Sequence, residues 1–443
     1  MRVWPKGGLW RHPDFLKLWS AETISQFGSQ VTGLALPLVA IITLDVSAFE
    51  VALLGIIEFA PFILISLPAG VWVDRWPRRP VLIIGDLGRA ALLATIPIAY
   101  AFDALTISQL YIVGFLFGIL TVFFDVAYMS YLPSLVRRDQ LVDGNSKLEI
   151  SRSGAQLAGP ALAGVLIQAL KAPLAILVDA FSFVASGLFV LRIRKHEDVA
   201  KRAGEQAGKS SSMRAELSEG LRYVFGHRYL RWIAASTATF NFFGNVMGAI
   251  FLVYAVRQLG LSAGTIGLIF AIGNVGYLTG ALTANRIAGK IGVGPAIVVG
   301  AATGVSALLI PLAPESSPIP FLVVAGTITG FGVVVYNVTQ GSFRQAITPE
   351  RLQGRMNSVI RFMVWGVMPL GALLGGAIAT AVDLKTAIWI GAIGQSLAFL
   401  PVFLSPVRTL REMPEPVTDA LAEAEGEGGR VMPGQMPAVE DIS

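Results

Sequence analysis

Five carboxylates lie inside long apolar runs: Glu22, Glu58, Asp86, Asp125 and Asp179. An ionised carboxylate in hydrocarbon costs several kcal/mol, so each must face protein or a wet cavity. Taking up a proton removes that charge, which couples protonation to any movement of the group between environments. Glu58 and Asp125, then Glu22, are the proton-coupling candidates, with Asp179 behind them. The competing role for each is a structural hydrogen bond. Asp86 and Arg89 stand three apart on one helical face, a spacing that favours self-pairing. Arg152 is the expected partner of Asp125 in a second intramembrane pair.

The second half of the chain has no carboxylate within its runs and offers amides instead. Asn241, Asn245, Asn274, Asn337 and Gln340 can orient a ligand without titrating. Gln26 and Gln30 add two more amides in the first half. Phe27, Phe59, Phe124, Tyr128, Phe240 and Tyr336 add aromatic surface for a bulky amphipathic ligand, or they simply fill lipid-facing area. A cationic ligand would suit the acidic first half.

Other chemistries find no support. There is no cysteine, which removes thiol catalysis, disulfides and cysteine metal sites. His12, His196 and His227 fall in short polar stretches and would need converging loops to hold a metal. No nucleophile stands beside a base, and no Gly-x-x-x-x-Gly-Lys-Ser/Thr loop is present for ATP. Neither enzymatic activity nor a cofactor is expected.

The elements that position these residues are membrane helices. The chain of 443 residues is 54% hydrophobic and 14% charged, against about 25% charged in soluble domains. A helix needs about 20 apolar residues to cross the hydrocarbon core. Twelve spans can be placed, at roughly 17–43, 48–72, 80–102, 107–131, 147–170, 173–192, 229–256, 263–285, 292–313, 319–343, 356–381 and 385–406. The first is too long for a cleavable signal and lacks a cleavage site. The predicted organisation is an N-terminal six-helix half over 1–192 and a cytoplasmic central loop over 193–228. A C-terminal six-helix half follows over 229–410, then a disordered, acidic cytoplasmic tail over 411–443.

Lysine and arginine orient this bundle. Of the 34 in the chain, Lys171, Arg257 and Lys385 fall on one side, Arg89 and Arg152 lie in or at spans, and all others fall on the opposite side. That basic side is the cytoplasmic one and carries both termini. The net charge of +5 therefore faces anionic lipid, and no nucleic-acid partner is expected. On this orientation Glu58 stands near mid-membrane. Asp125 lies in the inner third of span 4, Glu22 in the inner part of span 1, and Asp179 in the outer third of span 6.

The two halves repeat one plan. "GFLFGILTVFFDVAYMSYL" from Gly114 aligns with "GTITGFGVVVYNVTQGSFR" from Gly326, placing Asp125 on Asn337 and Ser130 on Ser342. His12 to Gly33 aligns with His227 to Gly248. Two parallel six-helix halves around a central cavity are a transporter architecture. Glycines along span 8 (Gly273, Gly276, Gly280) and span 11 (Gly371, Gly375, Gly376) permit close helix approach.

Between spans 2 and 3 stands "GVWVDRWPRR". It resembles the Gly-x-x-x-Asp-Arg-x-Gly-Arg-Arg/Lys loop of the major facilitator superfamily through Gly70, Asp74, Arg75, Arg78 and Arg79, with Pro77 replacing the second glycine. "GAQLAGPALAG" in span 5 resembles that superfamily's antiporter motif through Gly159, Pro160 and Gly164, while Ala155 and Ala163 replace usual glycines. "FFDVAY", "YLPSLV" and "GNSKLE" are similar to the bacterial drug-efflux branch, which includes macrolide, multidrug and siderophore exporters. The resemblance covers about residues 12–406.

The resemblance implies the major facilitator fold, alternating access by rocking of the halves, and location in the bacterial cytoplasmic membrane. It implies that Asp74 and the neighbouring arginines form a cytoplasmic latch, each contact contributing about 0.3–2 kcal/mol. The loop's second-half counterpart is "ALTANRIAGKIG", with Asn285 where Asp74 stands. The expected function is export of amphipathic drug-like, macrolide-like or siderophore-like molecules by proton antiport, by a monomer. The alternatives are nutrient or lysophospholipid uptake, and a non-transporting sensor or scaffold of the same fold.

Overall fold

The computed structural model describes residues 8–194 and 213–412. His196 and the tail beyond 412 lie outside them. Every regular element among the described residues is helical. The first half contains α1 (Pro13–Leu38), α2 (Ala48–Leu64), α3 (Ser66–Arg75), α4 (Arg78–Ala101), α5 (Ile107–Leu135), α6 (Leu141–Leu170) and α7 (Ala172–Leu191). The second contains α8 (Met213–Gly226), α9 (Leu230–Val253), α10 (Ala263–Ile291), α11 (Val293–Ala302), α12 (Leu309–Leu312), α13 (Ile319–Ile347), α14 (Glu350–Ala381), α15 (Leu384–Ser396) and α16 (Leu400–Phe403).

Eleven helical runs among the described residues are long and apolar enough to cross a membrane. The remaining expected span, 48–72, is built from two pieces, because the helix breaks at Ile65 between α2 and α3. Pro68 supplies the reason: it has no N–H to give the Leu64 carbonyl, and its ring crowds that carbonyl. One further departure concerns the central connection, expected as a loop. It contains α8, whose Tyr223 hydroxyl donates to the Ile347 carbonyl at 3.1 Å.

The internal repeat is visible in backbone detail. α1 ends in a π-helical turn at Val39–Thr43, and α9 ends in one at Tyr254–Gln258. Each is followed by a left-handed residue, Asp45 (φ 49°) and Gly260 (φ 63°). Each then leads into a serine N-cap: Ser47 accepts from the Glu50 amide at 3.3 Å and Ser262 from the Thr265 amide at 3.2 Å. At the opposite end, the repeat-related histidines act as caps. His12 Nδ1 accepts from the Phe15 amide at 3.1 Å, and His227 Nδ1 from the Tyr229 amide at 3.3 Å. These imidazoles satisfy orphan donors at helix starts, a role their placement in polar stretches leaves open.

In the first half α1 packs on α6 and α7, α4 on α5 and α7, and α2 on α5; in the second α9 packs on α14 and α15, and α10 on α13. Two seams join the halves, α6 against α10 and α2 against α14. We call the end carrying the start of α1 and the α7–α9 connection the linker end, and the opposite end the far end. Both seams close tightly toward the far end. A Cβ at Gly164 of α6 would lie 2.6 Å from the Ala263 carbonyl oxygen and 3.1 Å from the Gly267 Cα of α10. A Cβ at Gly376 of α14 would lie 2.8 Å from the Ala52 Cβ of α2.

Burial, with the Arg228 charge beside it, holds the His227 imidazole below its ordinary value. The neutral, hydrogen-bond-accepting form is therefore the native one. As pH falls below about 6.5 the unfolded chain protonates first, so stability is full above that pH and declines beneath it. Thermal unfolding of the purified protein from pH 8 to pH 5 should show the decline. His227→Asn keeps a capping acceptor without titrating and should flatten it, at a cost of about 1 kcal/mol or less.

Candidate functional site

The largest cavity described here, about 980 Å³, lies at the linker end among α1, α5 and α6. Glu22 and Gln26 enter it from α1, Asp125, Tyr128 and Met129 from α5, and Asn145, Glu149, Arg152 and Gln156 from α6. Glu22 and Gln26 are four residues apart, one helical turn, and so share a stripe of α1. The Gln26 amide donates to Glu22 Oε1 at 2.6 Å. Asp125 makes no hydrogen bond among the described residues and lies within electrostatic range of Arg89, Arg152 and Glu22. The cavity mouth is polar and exposed at Asn145, Ser146 and Glu149.

The predicted Asp125–Arg152 pair is not formed. Arg152 Nη1 lies 3.9 Å from Glu149 Oε2, and both side chains are more than half exposed at the mouth. A partner one turn back on the same helix is available in water, and reaching inward would desolvate the guanidinium.

Behind the cavity lies a fully buried ion pair. Arg89 Nη2 is 2.7 Å from Asp86 Oδ1, and Ser186 Oγ donates to Asp86 Oδ2 at 2.7 Å. The Arg89 guanidinium is held between the Phe124 and Phe183 rings, 4.1 and 4.2 Å from their centroids. Phe124 in turn stacks on Tyr128 of the cavity wall at 6.0 Å. Asp179 is also buried, accepting from Thr32 at 2.5 Å and Ser182 at 2.8 Å where α7 crosses α1. Gly28 packs directly on this group. Its hydrogen bonds account for Asp179 as a contact between helices, away from the cavity.

Glu58 lines a different cavity, about 320 Å³, toward the far end among α1, α2, α9 and α14, with Phe59 and Asn245. A third cavity, about 80 Å³, gathers Phe240, Asn241, Tyr336 and Asn337 in the second half. There the Tyr336 hydroxyl lies 2.8 Å from Thr237 Oγ1, and the Asn241 amide donates to the Thr237 carbonyl at 2.8 Å. The substrate-cavity candidates are thus split among separate cavities. Gln30 packs on Gly159 at the α1–α6 crossing, and Gln340 is buried with its carbonyl oxygen unpartnered among the described residues. Phe27, Gln30, Phe124 and Gln340 line none of these cavities.

The charged loop is braced within its own half. Arg78 is buried and donates to the Ser130 carbonyl at 2.8 Å; Arg79 donates to the Val190 and Leu191 carbonyls at 3.3 and 2.5 Å. Those carbonyls lie near the C-terminal ends of α5 and α7, where cations are favoured. Gly70 has open space beside it, Arg75 is exposed, and the Asp74 side chain lies outside the described residues. In the span-5 motif, Pro160 offers its carbonyl to the surface of Gly267 and Gly164 sits in the seam.

Two contacts between the halves are not expected from the sequence, one of them made by Asn274, which stands there as a ligand-orienting amide. Arg257 Nη2 lies 2.6 Å from Asp45 Oδ1 and donates to the Val46 carbonyl at 2.8 Å, tying the far ends together. The Asn274 amide of α10 donates to the Gln156 carbonyl of α6 at 2.5 Å. An acid in the first loop of one half and a base in the first loop of the other is the available signal. The seams are thus tight toward the far end, and the cavity with the exposed mouth lies at the linker end.

A family model described as transmembrane secretion effector matches residues 9–425. The chain is 26% identical over 417 residues to the multidrug efflux pump Tap of Mycolicibacterium fortuitum, covering 90% of this chain and 97% of that one. It is 23% identical over 377 residues to macrolide efflux protein A of Streptococcus pyogenes, covering 84% and 90%. Among solved structures, a bacterial homologue of the iron transporter ferroportin in its inward-facing state matches at TM-score 0.69, with 17% identity and coverage of 88% of this chain and 98% of that one. The outward-facing state of such a homologue matches at 0.54, with 18% identity and the same coverage. The fold is shared with these transporters.

Asp86→Ala should strand the Arg89 charge and lower stability by about 3–5 kcal/mol, read as loss of folded protein on size-exclusion chromatography. The double variant Asp86→Asn/Arg89→Gln should recover much of it. Gly164→Val should keep the far end from closing. The chain has no cysteine, so a single Ser146→Cys reports the linker-end mouth cleanly. Its maleimide labelling should slow about fivefold or more as the open population shifts; an unchanged rate would show that the seam does not control the mouth.

Proposed function

The chain belongs to the transmembrane secretion effector family of the major facilitator superfamily, and from that premise we propose that it exports bulky amphipathic small molecules in exchange for protons. The observation that carries this proposal is the pairing of Glu22 and Asp125 in one large cavity open at the linker end. The placement of lysine and arginine makes that end cytoplasmic, so a molecule from the cytoplasm meets this cavity first. The names of the relatives, multidrug and macrolide efflux proteins, agree in direction and in ligand bulk.

The chemistry follows from charge. Two carboxylates in one partly dehydrated cavity repel each other, and either a proton or a cationic ligand relieves that repulsion. A bound cation and a bound proton therefore exclude one another, which is the requirement for exchange. Tyr128 and Gln26 offer an aromatic face and an amide for orienting the ligand. Asp86 and Arg89, fixed behind the wall, hold Phe124 and Tyr128 in place and keep a positive charge near both acids. Rocking about the two glycine-lined seams would close the linker end and open the far end, as one polypeptide acting as a monomer. The loop from Gly70 to Arg79 would latch the linker end in that second state.

Expression in a drug-sensitive bacterial host, screened against a compound panel, tests the proposal. The intact chain should lower drug accumulation, and an uncoupler should abolish that effect. Asp125→Asn or Glu22→Gln should cut pH-driven efflux about tenfold or more, equivalent to about 1.4 kcal/mol. Raised accumulation in energised cells would reverse the direction. Full pH-driven efflux by the double variant would remove these acids from coupling.

A further inference from the structure

We propose that the cavity around Glu58 is a second ligand station, which takes a lipophilic monocation beneath the far-end seam. Its volume is about 320 Å³, at the small end of the roughly 300–1,000 Å³ typical of small-molecule pockets. Glu58 and Asn245 are the hydrogen-bonding side chains in its lining, which contains no Lys, Arg or His. The Asn245 amide already donates to the Asn241 carbonyl at 2.8 Å. Glu58 makes no hydrogen bond or ion pair among the described residues. The other intramembrane acids differ: Asp86 and Asp179 are bonded, Glu22 holds Gln26, and Asp125 lines the wide polar cavity.

Helix packing does not explain this carboxylate. The repeat alignment that pairs Ser47 with Ser262 pairs Glu58 with Gly273. In the second half Gly273 meets Gly326, with a Cβ there 3.6 Å from the Gly326 Cα; in the first half Glu58 Cγ lies 2.9 Å from the Cβ position of Gly114. The same crossing is therefore made without an acid. The cavity wall has open space at Gly55 and Gly248, where a Cβ would meet nothing within 4 Å, while Glu58 Oε1 lies at the α5 side of the cavity, 3.7 Å from the Cβ position of Gly114.

These features select a ligand class. An ionised carboxylate in an apolar cavity is stabilised by one positive charge, and apolar walls reward an apolar body. Phe59 offers its ring beside the acid and meets Trp365 of α14 edge-on at 5.9 Å, a surface that favours cations. One carboxylate and one amide are too few oxygen ligands for a divalent metal. The position suits release. Ala52 lines the cavity and is the residue on which Gly376 closes, so parting the α2–α14 seam would open the station toward the far end.

The station presupposes the exporter function proposed for the chain and adds the charge of its ligand and a place for it. Equilibrium binding of tetraphenylphosphonium to the purified full chain tests it, with tetraphenylborate as the same shape bearing the opposite charge. Wild-type protein should prefer the phosphonium. Glu58→Gln should weaken phosphonium binding about tenfold or more and reverse or erase the preference. Gly55→Leu sets its Cβ in open space and adds an apolar side chain to the cavity wall, and it should weaken binding similarly, which keeps the test alive if Glu58→Gln does not fold. Wild-type phosphonium affinity in either folded variant overturns the station. Drug export that persists in such a variant leaves the exporter function standing. Glu58-dependent binding by a chain that exports nothing keeps the station and removes the exporter function.

Discussion

Charge is expensive where water is absent, and the arrangement of this molecule follows from how each intramembrane acid meets that cost. Asp86 meets it with a guanidinium and a hydroxyl, Asp179 with two hydroxyls, and Glu22 with an amide at the edge of a wide cavity. Asp125 stands in the same cavity and relies on its polar surroundings and on distant arginines. Glu58 meets it with nothing among the described residues. That gradation, from fully bonded to bare, separates acids that hold helices together from acids free to exchange a proton or a cation. Buried polar groups that are fully satisfied rigidify their surroundings, whereas unsatisfied ones remain available to a ligand.

The repeat supplies a frame in which this difference becomes interpretable. Both halves share π-helical turns, left-handed residues, serine caps and histidine caps at matching positions. Against that symmetry, two acids of the first half align with uncharged residues of the second: Asp125 with Asn337 and Glu58 with Gly273. Carboxylates within the spans are thus confined to one half, while the other offers orienting amides and a satisfied Tyr336. The seams between the halves are made by backbone meeting backbone at glycine, with the Arg257–Asp45 pair over the far end. Where glycine brings backbone against backbone, little rotamer entropy is lost when the contact re-forms, which suits a surface that must part and close.

Much of the site is legible in residue type and position alone. The acids, the Asp86–Arg89 spacing, the charged loop and the glycine motif of the fifth span all stand out in this way. The departures share one cause, the side chain's direction around its helix. Arg152 and Asp125 agree in depth, yet Arg152 turns to Glu149 at the mouth. The aromatic and amide candidates suit one shared cavity by type, whereas they divide among several, and four of them line none of these cavities. Arg257 and Asp45 read as ordinary loop residues, although they tie the halves together. The break at Ile65 is foreshadowed by Pro68, but its consequence for the second span shows only when the helix is traced.

By itself the sequence indicated the apolar runs, the repeat, the family and the place of each acid along its helix. Place along a helix is a local property, because a helix rises about 1.5 Å per residue whatever surrounds it. Which acids share a cavity, which are bonded and which stand bare was decided only by tertiary structure. Those outcomes depend on how each helix is rotated about its own axis against its neighbours, and that rotation is set by packing across helices far apart in the chain.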